Sequence, residues 1–308
     1  MIQSIKRAVW SFWSKPFQTY RKSFWFSEKH HLLSWVLSFE RARQLYPETV
    51  LITDDDGVRL LIDGLGLEFH TVSNELNALK TQNPDWWVSG KLYAYRAQTE
   101  PFVHLDNDVF LWKALPERAI AAPVFAQNPE YFTFGDENAW YRPEIYKATV
   151  ESTQGWLPDE FNWYVSGRGN QPMCCGIFGG SRVDFINYYA DQAIQLVEHP
   201  QNQRALPLLP RKTLDSFMVE QYFLAACVFY HQNHEKSLYR DVYIECLFNS
   251  YEEAFREAEK VGFTHLLGGA KRNPELAEKL ERRVAKDYPD RYERCLRYLN
   301  EVGSGLSN

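Results

Sequence analysis

The stretch PFVHLDND, residues 101–108, joins an apolar run to a pair of carboxylates. A short apolar run of this kind is typical of a strand buried inside a parallel sheet. Asp106 and Asp108 follow at its end. Carboxylate oxygens suit Mg²⁺ or Mn²⁺, and a protein that offers few of them leaves room for a substrate's phosphates. The stretch therefore predicts a divalent-metal site, with a capped strand end as the alternative.

Strand-like and helix-like segments alternate along the chain at regular intervals. Such alternation specifies an α/β fold with a mostly parallel, Rossmann-like central sheet that helices cover. Ligands of such sheets bind at the carboxyl ends of the strands. Strands are predicted at 7–12, 49–53, 67–72, 101–105 and 173–180, and helices at 31–45, 57–65, 86–98, 183–198, 214–229 and 274–298.

Composition limits the class of protein. With 308 residues, 45% of them hydrophobic, the chain can bury a core of ordinary size, and we expect a single domain over 1–308. A net charge of −6 argues against a nucleic-acid partner, because binding to phosphate backbones requires a basic surface. The five cysteines form no C-x-x-C pair and no apolar stretch reaches 18 residues, so we expect reduced thiols and a cytoplasmic protein.

Three parts of the single domain are predicted to differ in role. Residues 5–122 form a nucleotide- and metal-binding half, 123–275 an acceptor-side half, and 276–308 a helical tail. Within the second half, residues 123–170 are rich in proline and aromatic residues without clear period, which predicts loops and short elements over the active face. We expect the acceptor to be recognised there, by side chains that include Trp140, Trp156 and Trp163.

The first 31 residues mix basic with aromatic side chains. The favoured interpretation is a strand followed by a substrate loop. The alternative is peripheral contact with the inner face of an anionic membrane.

A second carboxylate cluster, Asp54 to Asp56, also follows a β-branched strand. It resembles the opening motif of haloacid-dehalogenase-type phosphatases, in which Asp54 would attack phosphorus and Asp56 would act as acid and base. Two further interpretations stand beside this one. The cluster is also typical of a helix N-terminal cap, and Asp54 is a candidate contact to a donor nucleotide.

Four segments in order resemble the pattern of GT-A-fold glycosyltransferases, in particular glycogenin-like and galactosyltransferase-like enzymes. The resemblance implies a GT-A-like fold and a donor bound as a metal–diphosphate complex. We also expect a bacterial family of unassigned function to lie closer than any characterised enzyme. The segments are HLDNDV at 104–109, CGIFGG at 175–180, Glu220-Gln221 within a helix, and HLLGGAK at 265–271.

By resemblance, each segment contributes a part of the site. Asp106, Asp108 and His265 would hold Mn²⁺ or Mg²⁺, and Lys271 would neutralise the leaving diphosphate. The remaining candidate contacts follow. Asn107, Gly179, Gly268 and Gly269 would line the donor together with Asp54, and Glu220 and Gln221 would approach the transferred sugar.

These observations predict a metal-dependent glycosyltransferase that moves a hexose from a nucleotide-diphosphate sugar, with a UDP-sugar expected, to a saccharide or lipid-linked acceptor. The resemblance favours retention of configuration. An inverting enzyme would need a carboxylate base, for which the candidates are Asp159, Glu160, Asp215 and Glu220. A non-catalytic saccharide-binding scaffold is the third interpretation, beside the phosphatase.

Overall fold

The computed structural model describes residues 5–305, with side chains throughout except at 21–23 and 302–305. Its strands are β1 Arg7–Phe12, β2 Glu48–Thr53, β3 Thr71–Ser73, β4 Phe102–Leu105, β5 Val109–Leu111, β6 Val124–Ala126, β7 Ile177–Gly180, β8 Ile244–Cys246 and β9 Phe263–His265. Seven of them form a central sheet in the order β3-β2-β1-β4-β7-β6-β8. The other two, β5 and β9, form a separate antiparallel pair.

Most neighbours in the central sheet are parallel, and β7 is the exception. It lies antiparallel between β4 and β6, whereas the β1–β2, β1–β4, β2–β3 and β6–β8 pairs are parallel. The predicted α/β fold with a mostly parallel, helix-covered sheet is thereby confirmed.

Helices occupy most of the connections. They are α1 Ser14–Phe24, α2 Glu28–Ala42, α3 Asp55–Gly57, α4 Ser89–Arg96, α5 Glu117–Ile120, α6 Pro143–Ser152, α7 Asp159–Ser166, α8 Val183–Glu198, α9 Lys212–Phe217, α10 Phe223–Asn233, α11 Tyr251–Arg256, α12 Ala258–Val261, α13 Pro274–Asp287 and α14 Pro289–Gly305. Two π-helical turns, Val58–Gly64 and Met218–Tyr222, continue α3 and join α9 to α10.

The central strands are mostly apolar, and both faces of the sheet are buried. In β1, Val9 points into one core, whereas Ala8 and Trp10 point into the other. The first core is completed by α4, α8 and α10, and the second by α2 and α13. Alternate residues of one strand therefore contact different helices.

The N-terminal segment differs from its prediction after β1. Ser14–Phe24 is a helix and not a substrate loop. Several of its side chains contact other parts of the protein instead of being left free for a substrate. Phe17 stacks on His31 with ring centroids 4.5 Å apart, and the Lys15 ammonium donates to two backbone carbonyls. Residues 1–4, and the side chains of Arg21 and Lys22, lie outside the described part of this basic segment.

Two other segments depart from their predicted form. The predicted strand at 67–72 is extended only from Thr71, because the backbone N–H of Leu67 turns back to the Leu61 carbonyl. The predicted insertion at 123–170 begins with β6, which lies inside the central sheet between β7 and β8. Its apolar residues are buried there, so this part belongs to the sheet and not to a covering loop.

The C-terminal tail, predicted as one helix at 274–298, forms two helices, α13 and α14, which are separated at Tyr288. The second reaches residue 305, the last described residue. Leu280, Val284 and Cys295 are buried, and Arg291 pairs with Glu40 of α2 at 3.0 Å. Within the described residues, no helix has the length and apolar character needed to cross a lipid bilayer.

A methyl group at Gly179 should destabilise the sheet. A Cβ there would lie 2.1 Å from the Phe102 carbonyl oxygen, which belongs to the rigid backbone of β4. We expect Gly179→Ala to lower the free energy of unfolding by about 1–3 kcal/mol, the usual cost of overpacking. Urea denaturation measures this change.

The matched control is Gly269→Ala, since a Cβ at Gly269 would meet no atom within 4 Å. Equal stability of the two variants would contradict the packing explanation for Gly179.

Candidate metal centre

Asp106 and Asp108 lie in the short connection between β4 and β5. The backbone N–H of Asp106 donates to the Gly176 carbonyl at 2.9 Å, which continues the pairing of β4 with the chain before β7. The Asp106 side chain is 25% exposed, whereas that of Asp108 is 2% exposed. One carboxylate therefore faces an opening, and the other is almost enclosed.

His265 reaches these carboxylates through the β5–β9 pair. Val109 lies opposite His265 in that antiparallel ladder, and the Leu266 N–H donates to the Asp108 carbonyl at 3.0 Å. The His265 Nε2 atom consequently lies 3.4 Å from Asp108 Oδ1. Ligand atoms of Asp106, Asp108 and His265 all lie within 4.8 Å of one another. Strand pairing thus brings together the three residues that the sequence predicted as ligands.

Two residues set the orientation of the His265 ring. Gln127 Oε1 lies 2.6 Å from His265 Nδ1, so an N–H at Nδ1 can donate to it and leave Nε2 as the free electron-pair donor. Gly176 provides the space, since a Cβ at that position would lie 2.2 Å from the His265 Cε1 atom.

These groups fit a divalent cation. The donor set is two carboxylates and one imidazole, which suits Mn²⁺ or Mg²⁺. Asp108 Oδ1 is buried and has no hydrogen-bond partner among the described residues, which is the state of an acceptor that a cation would satisfy.

Lys271 provides a positive charge at the same carboxylate. Its ammonium contacts Asp108 Oδ2, and its backbone carbonyl accepts from the Phe26 N–H at 2.9 Å. Burial would raise the pKa of the Asp108 carboxyl, but Lys271 and His265 lower it well below its usual range. Asp108 is therefore ionised at neutral pH.

A second buried cation, Lys91 of α4, was not predicted. Its ammonium lies 3.2 Å from Asp106 Oδ1 and 2.8 Å from Glu220 Oε1, and it donates to the Cys175 carbonyl at 2.9 Å. Burial disfavours the charged ammonium, yet Asp106 and Glu220 raise the pKa of Lys91. Lys91 belongs to no recognisable motif, so the sequence did not indicate this role.

Glu220 and Gln221 lie in the π-helical turn that joins α9 to α10. Glu220 is fully buried, and it accepts from the Tyr95 hydroxyl at 2.9 Å in addition to Lys91. Gln221 Oε1 accepts from the Tyr141 hydroxyl. Burial raises the pKa of the Glu220 carboxyl, and Lys91 opposes that shift. Glu220 is thus connected through Lys91 to Asp106, one of the candidate metal ligands.

The remaining predicted donor contacts fall in three places. Gly268 and Gly269 open a short turn, where a Cβ would meet no atom within 4 Å and Gly268 has φ +48°. Asn107 donates to the Ser34 hydroxyl at 2.8 Å. Gly179 is enclosed within the sheet, where the adjacent β4 backbone requires glycine. Among these positions, the 268–269 turn therefore has an unobstructed backbone that a donor could approach.

Asp54 forms a helix cap. Its Oδ1 accepts from the Gly57 N–H at 2.8 Å, and its Oδ2 accepts from the N–H and the hydroxyl of Ser14. Asp56 lies outside this cap and pairs with Arg59. Among the described residues, neither aspartate belongs to a group of three or more potential metal ligands. These contacts match the capping interpretation, because both Asp54 oxygens accept hydrogen bonds from within the protein.

The other candidates lie outside the ligand cluster. Asp159 and Glu160 line a separate cavity with Trp156, and Asp215 accepts from the Arg211 N–H at the start of α9. Trp140 is 59% exposed and packs beside Phe217, and Trp163 is 37% exposed.

The family of the chain follows from its sequence. A model of a family of unknown function, DUF6734, matches residues 6–298. The chain therefore belongs to that family, which confirms the expectation of a family without an assigned function. No curated protein matches the sequence.

Two solved structures are similar to this chain. One is the galactosyltransferase LgtC, in complex with donor and acceptor sugar analogues, at 13% identity, with 89% of this chain and 95% of that chain covered and a TM-score of 0.38. The other is WbbM, a bifunctional glycosyltransferase, at 12% identity and a TM-score of 0.44. The match covers 95% of this chain and 52% of WbbM, so this chain spans about half of that protein.

Replacing Lys91 should leave the fully buried Glu220 and the partly buried Asp106 without this counter-charge. We expect Lys91→Met to lower the free energy of unfolding by about 3–5 kcal/mol, the usual cost of breaking a buried ion pair from one side. Urea denaturation at neutral pH tests this expectation.

The double variant Lys91→Met/Glu220→Gln should recover part of that loss, because it removes one of the unpaired charges. If the double variant were no more stable than Lys91→Met, the ammonium would not be compensating Glu220.

Proposed function

We propose that the protein is a metal-dependent glycosyltransferase that moves a hexose from a nucleotide-diphosphate sugar, a UDP-sugar in the first instance, to an acceptor hydroxyl. The observation that carries the proposal is the convergence on Asp108 of a second carboxylate, an imidazole and an ammonium. This set can bind a divalent cation and a diphosphate side by side. The reaction would take place in the cytoplasm, with a saccharide or lipid-linked glycan as acceptor.

Asp106, Asp108 and His265 would hold Mn²⁺ or Mg²⁺. When bound, the cation would supply positive charge against the oxygens of the departing diphosphate. The imidazole is already orientated for this role, because Gln127 engages its Nδ1 atom. The ligands would thus meet the metal without a change in tautomer.

Lys271 would neutralise the remaining diphosphate charge. Its ammonium now pairs with Asp108, and a bound cation would take over that partner and free Lys271 for a phosphate oxygen. The Gly268–Gly269 turn would let phosphates approach the backbone closely, since no side chain stands there. Negative charge on the leaving group would then meet fixed positive groups where it develops.

Lys91 would act as a positioning residue. It holds Asp106 in place and links it to Glu220, which would respond to occupancy of the metal site through this one ammonium. Glu220 and Gln221 remain the proposed residues nearest the transferred sugar, with Asn107 as a proposed donor contact. The enclosed Gly179 and the capping Asp54 are not placed for such a contact. Retention or inversion of configuration depends on the face of the sugar from which the acceptor hydroxyl attacks.

Donor binding should depend on both the metal and Asp108. We expect UDP-glucose or UDP-galactose to raise the melting temperature only when Mn²⁺ is present. At a ligand concentration about 100 times the dissociation constant, the stabilisation would reach about 2.7 kcal/mol. Asp108→Asn should abolish the Mn²⁺-dependent shift, because it removes a charged ligand while it keeps the side-chain shape.

The control is Asp191→Asn, at a carboxylate that is 58% exposed on α8, and it should leave the shift unchanged. No shift with any nucleotide sugar would overturn the proposal. A shift without transfer or hydrolysis of the donor would favour a non-catalytic scaffold. Release of phosphate from phosphoesters, lost in Asp54→Asn and kept in Asp108→Asn, would favour the phosphatase.

The hydrogen bond from His265 to Gln127 should contribute to metal affinity. We expect Gln127→Leu to weaken Mn²⁺ binding by about 10- to 100-fold, the usual effect of removing the partner that orients a ligand histidine. Electron paramagnetic resonance of Mn²⁺ measures the free ion directly. Unchanged affinity would contradict the role proposed for Gln127 in orienting the imidazole.

A further inference from the structure

A cleft lies between α7, α8 and the last turns of α10, and none of the proposed metal ligands lines it. Its volume is about 420 Å³, enough for a sugar unit and its neighbours. We call it the α7–α10 cleft. Three partly exposed aromatic side chains border it, namely Trp156, Tyr188 and Tyr230.

The cleft contains a buried histidine whose hydrogen-bonding capacity is not fully used. His231 is 8% exposed, and its Nε2 atom has no hydrogen-bond partner among the described residues. Its Nδ1 lies 2.8 Å from the Ser237 hydroxyl, which also accepts from the Tyr239 N–H. When this hydroxyl donates to Nδ1, the neutral ring carries its hydrogen on Nε2, which lies 3.5 Å from Glu160 Oε1, an oxygen that also accepts from the Tyr188 hydroxyl. A ligand could therefore accept the hydrogen bond from Nε2 that no described residue accepts.

A hydroxyl group suits this arrangement. It can accept from His231 Nε2 and donate to the Glu160 carboxylate at the same time. Gln192 adds an amide at the cleft wall. Apolar ring faces together with paired donors and acceptors match a sugar ring, which has an apolar face and a rim of hydroxyls.

Charge narrows the choice of ligand. The described side chains that line the cleft include two carboxylates and neither lysine nor arginine, so an anionic ligand is disfavoured. Aromatic rings beside carboxylates also bind quaternary ammonium groups. Such a group has no acceptor for the His231 N–H and would leave it unpaired.

We infer that the α7–α10 cleft is a saccharide-binding site, which holds a neutral sugar unit of the acceptor at a distance from the reacting hydroxyl. The assignment to an acceptor rests on the proposed function. The helix that carries Glu220 near the metal ligands also carries His231, about 16 Å further along at 1.5 Å per residue. An acceptor of several sugar units would be held at two places, which raises its effective concentration at the metal centre.

The test measures glycan binding in the absence of donor and metal. Saturation-transfer NMR with maltotetraose, cellotetraose and lacto-N-neotetraose should detect binding of at least one probe to the full chain. Tyr230→Ala should weaken that binding at least tenfold, because it removes a ring face. The matched control Tyr243→Ala, at a tyrosine 46% exposed outside the cleft, should change it less than twofold.

Gln192→Ala provides a second variant in case Tyr230→Ala fails to fold, and it should weaken binding at least threefold. Absence of binding by all three probes would overturn the inference, as would binding that neither variant weakens. Binding of choline in place of any glycan would instead identify a cation site. Asp108→Asn should leave glycan binding intact, so failure here is distinct from failure of the donor experiment.

Discussion

The arrangement of the polar groups at the candidate metal centre depends on one buried ammonium group, that of Lys91. Lys91 contacts Asp106, Glu220 and the Cys175 carbonyl, which lie on different parts of the fold. The fully buried Glu220 could not remain charged beside Asp106 without Lys91, because desolvation would drive the Glu220 carboxylate to take up a proton. The position and charge of Asp106 therefore depend on a residue that would itself bind neither metal nor donor.

Much of the fold was predictable because the pattern of the sequence reflects burial. Arg7–Phe12 and Val183–Glu198 were predicted with the bounds that the structure has, since β1 is enclosed on both faces and α8 has an apolar stripe on one. Val58–Gly64 was predicted as a regular helix and is a π-helical turn. Local periodicity does not distinguish pairing to the fourth residue from pairing to the fifth.

The candidate metal centre was predictable only in part. Asp106, Asp108 and His265 were recognised because each belongs to a spaced motif in the sequence. Lys91 and Gln127 were not, because neither stands in a motif. Their roles arise from contacts with residues far away in the chain, and such contacts leave no periodic trace in the sequence.

The π-helical turn Met218–Tyr222 has a consequence for both proposed sites. Glu220 belongs to this turn, and His231 follows it on α10. Conversion of this turn to ordinary α-helical pairing at the same chain length would rotate the two ends of the helix relative to each other by the angle of one residue, about 100°. The turn thus sets the direction in which His231 points relative to Glu220, and a change in its hydrogen-bond pairing would alter that direction.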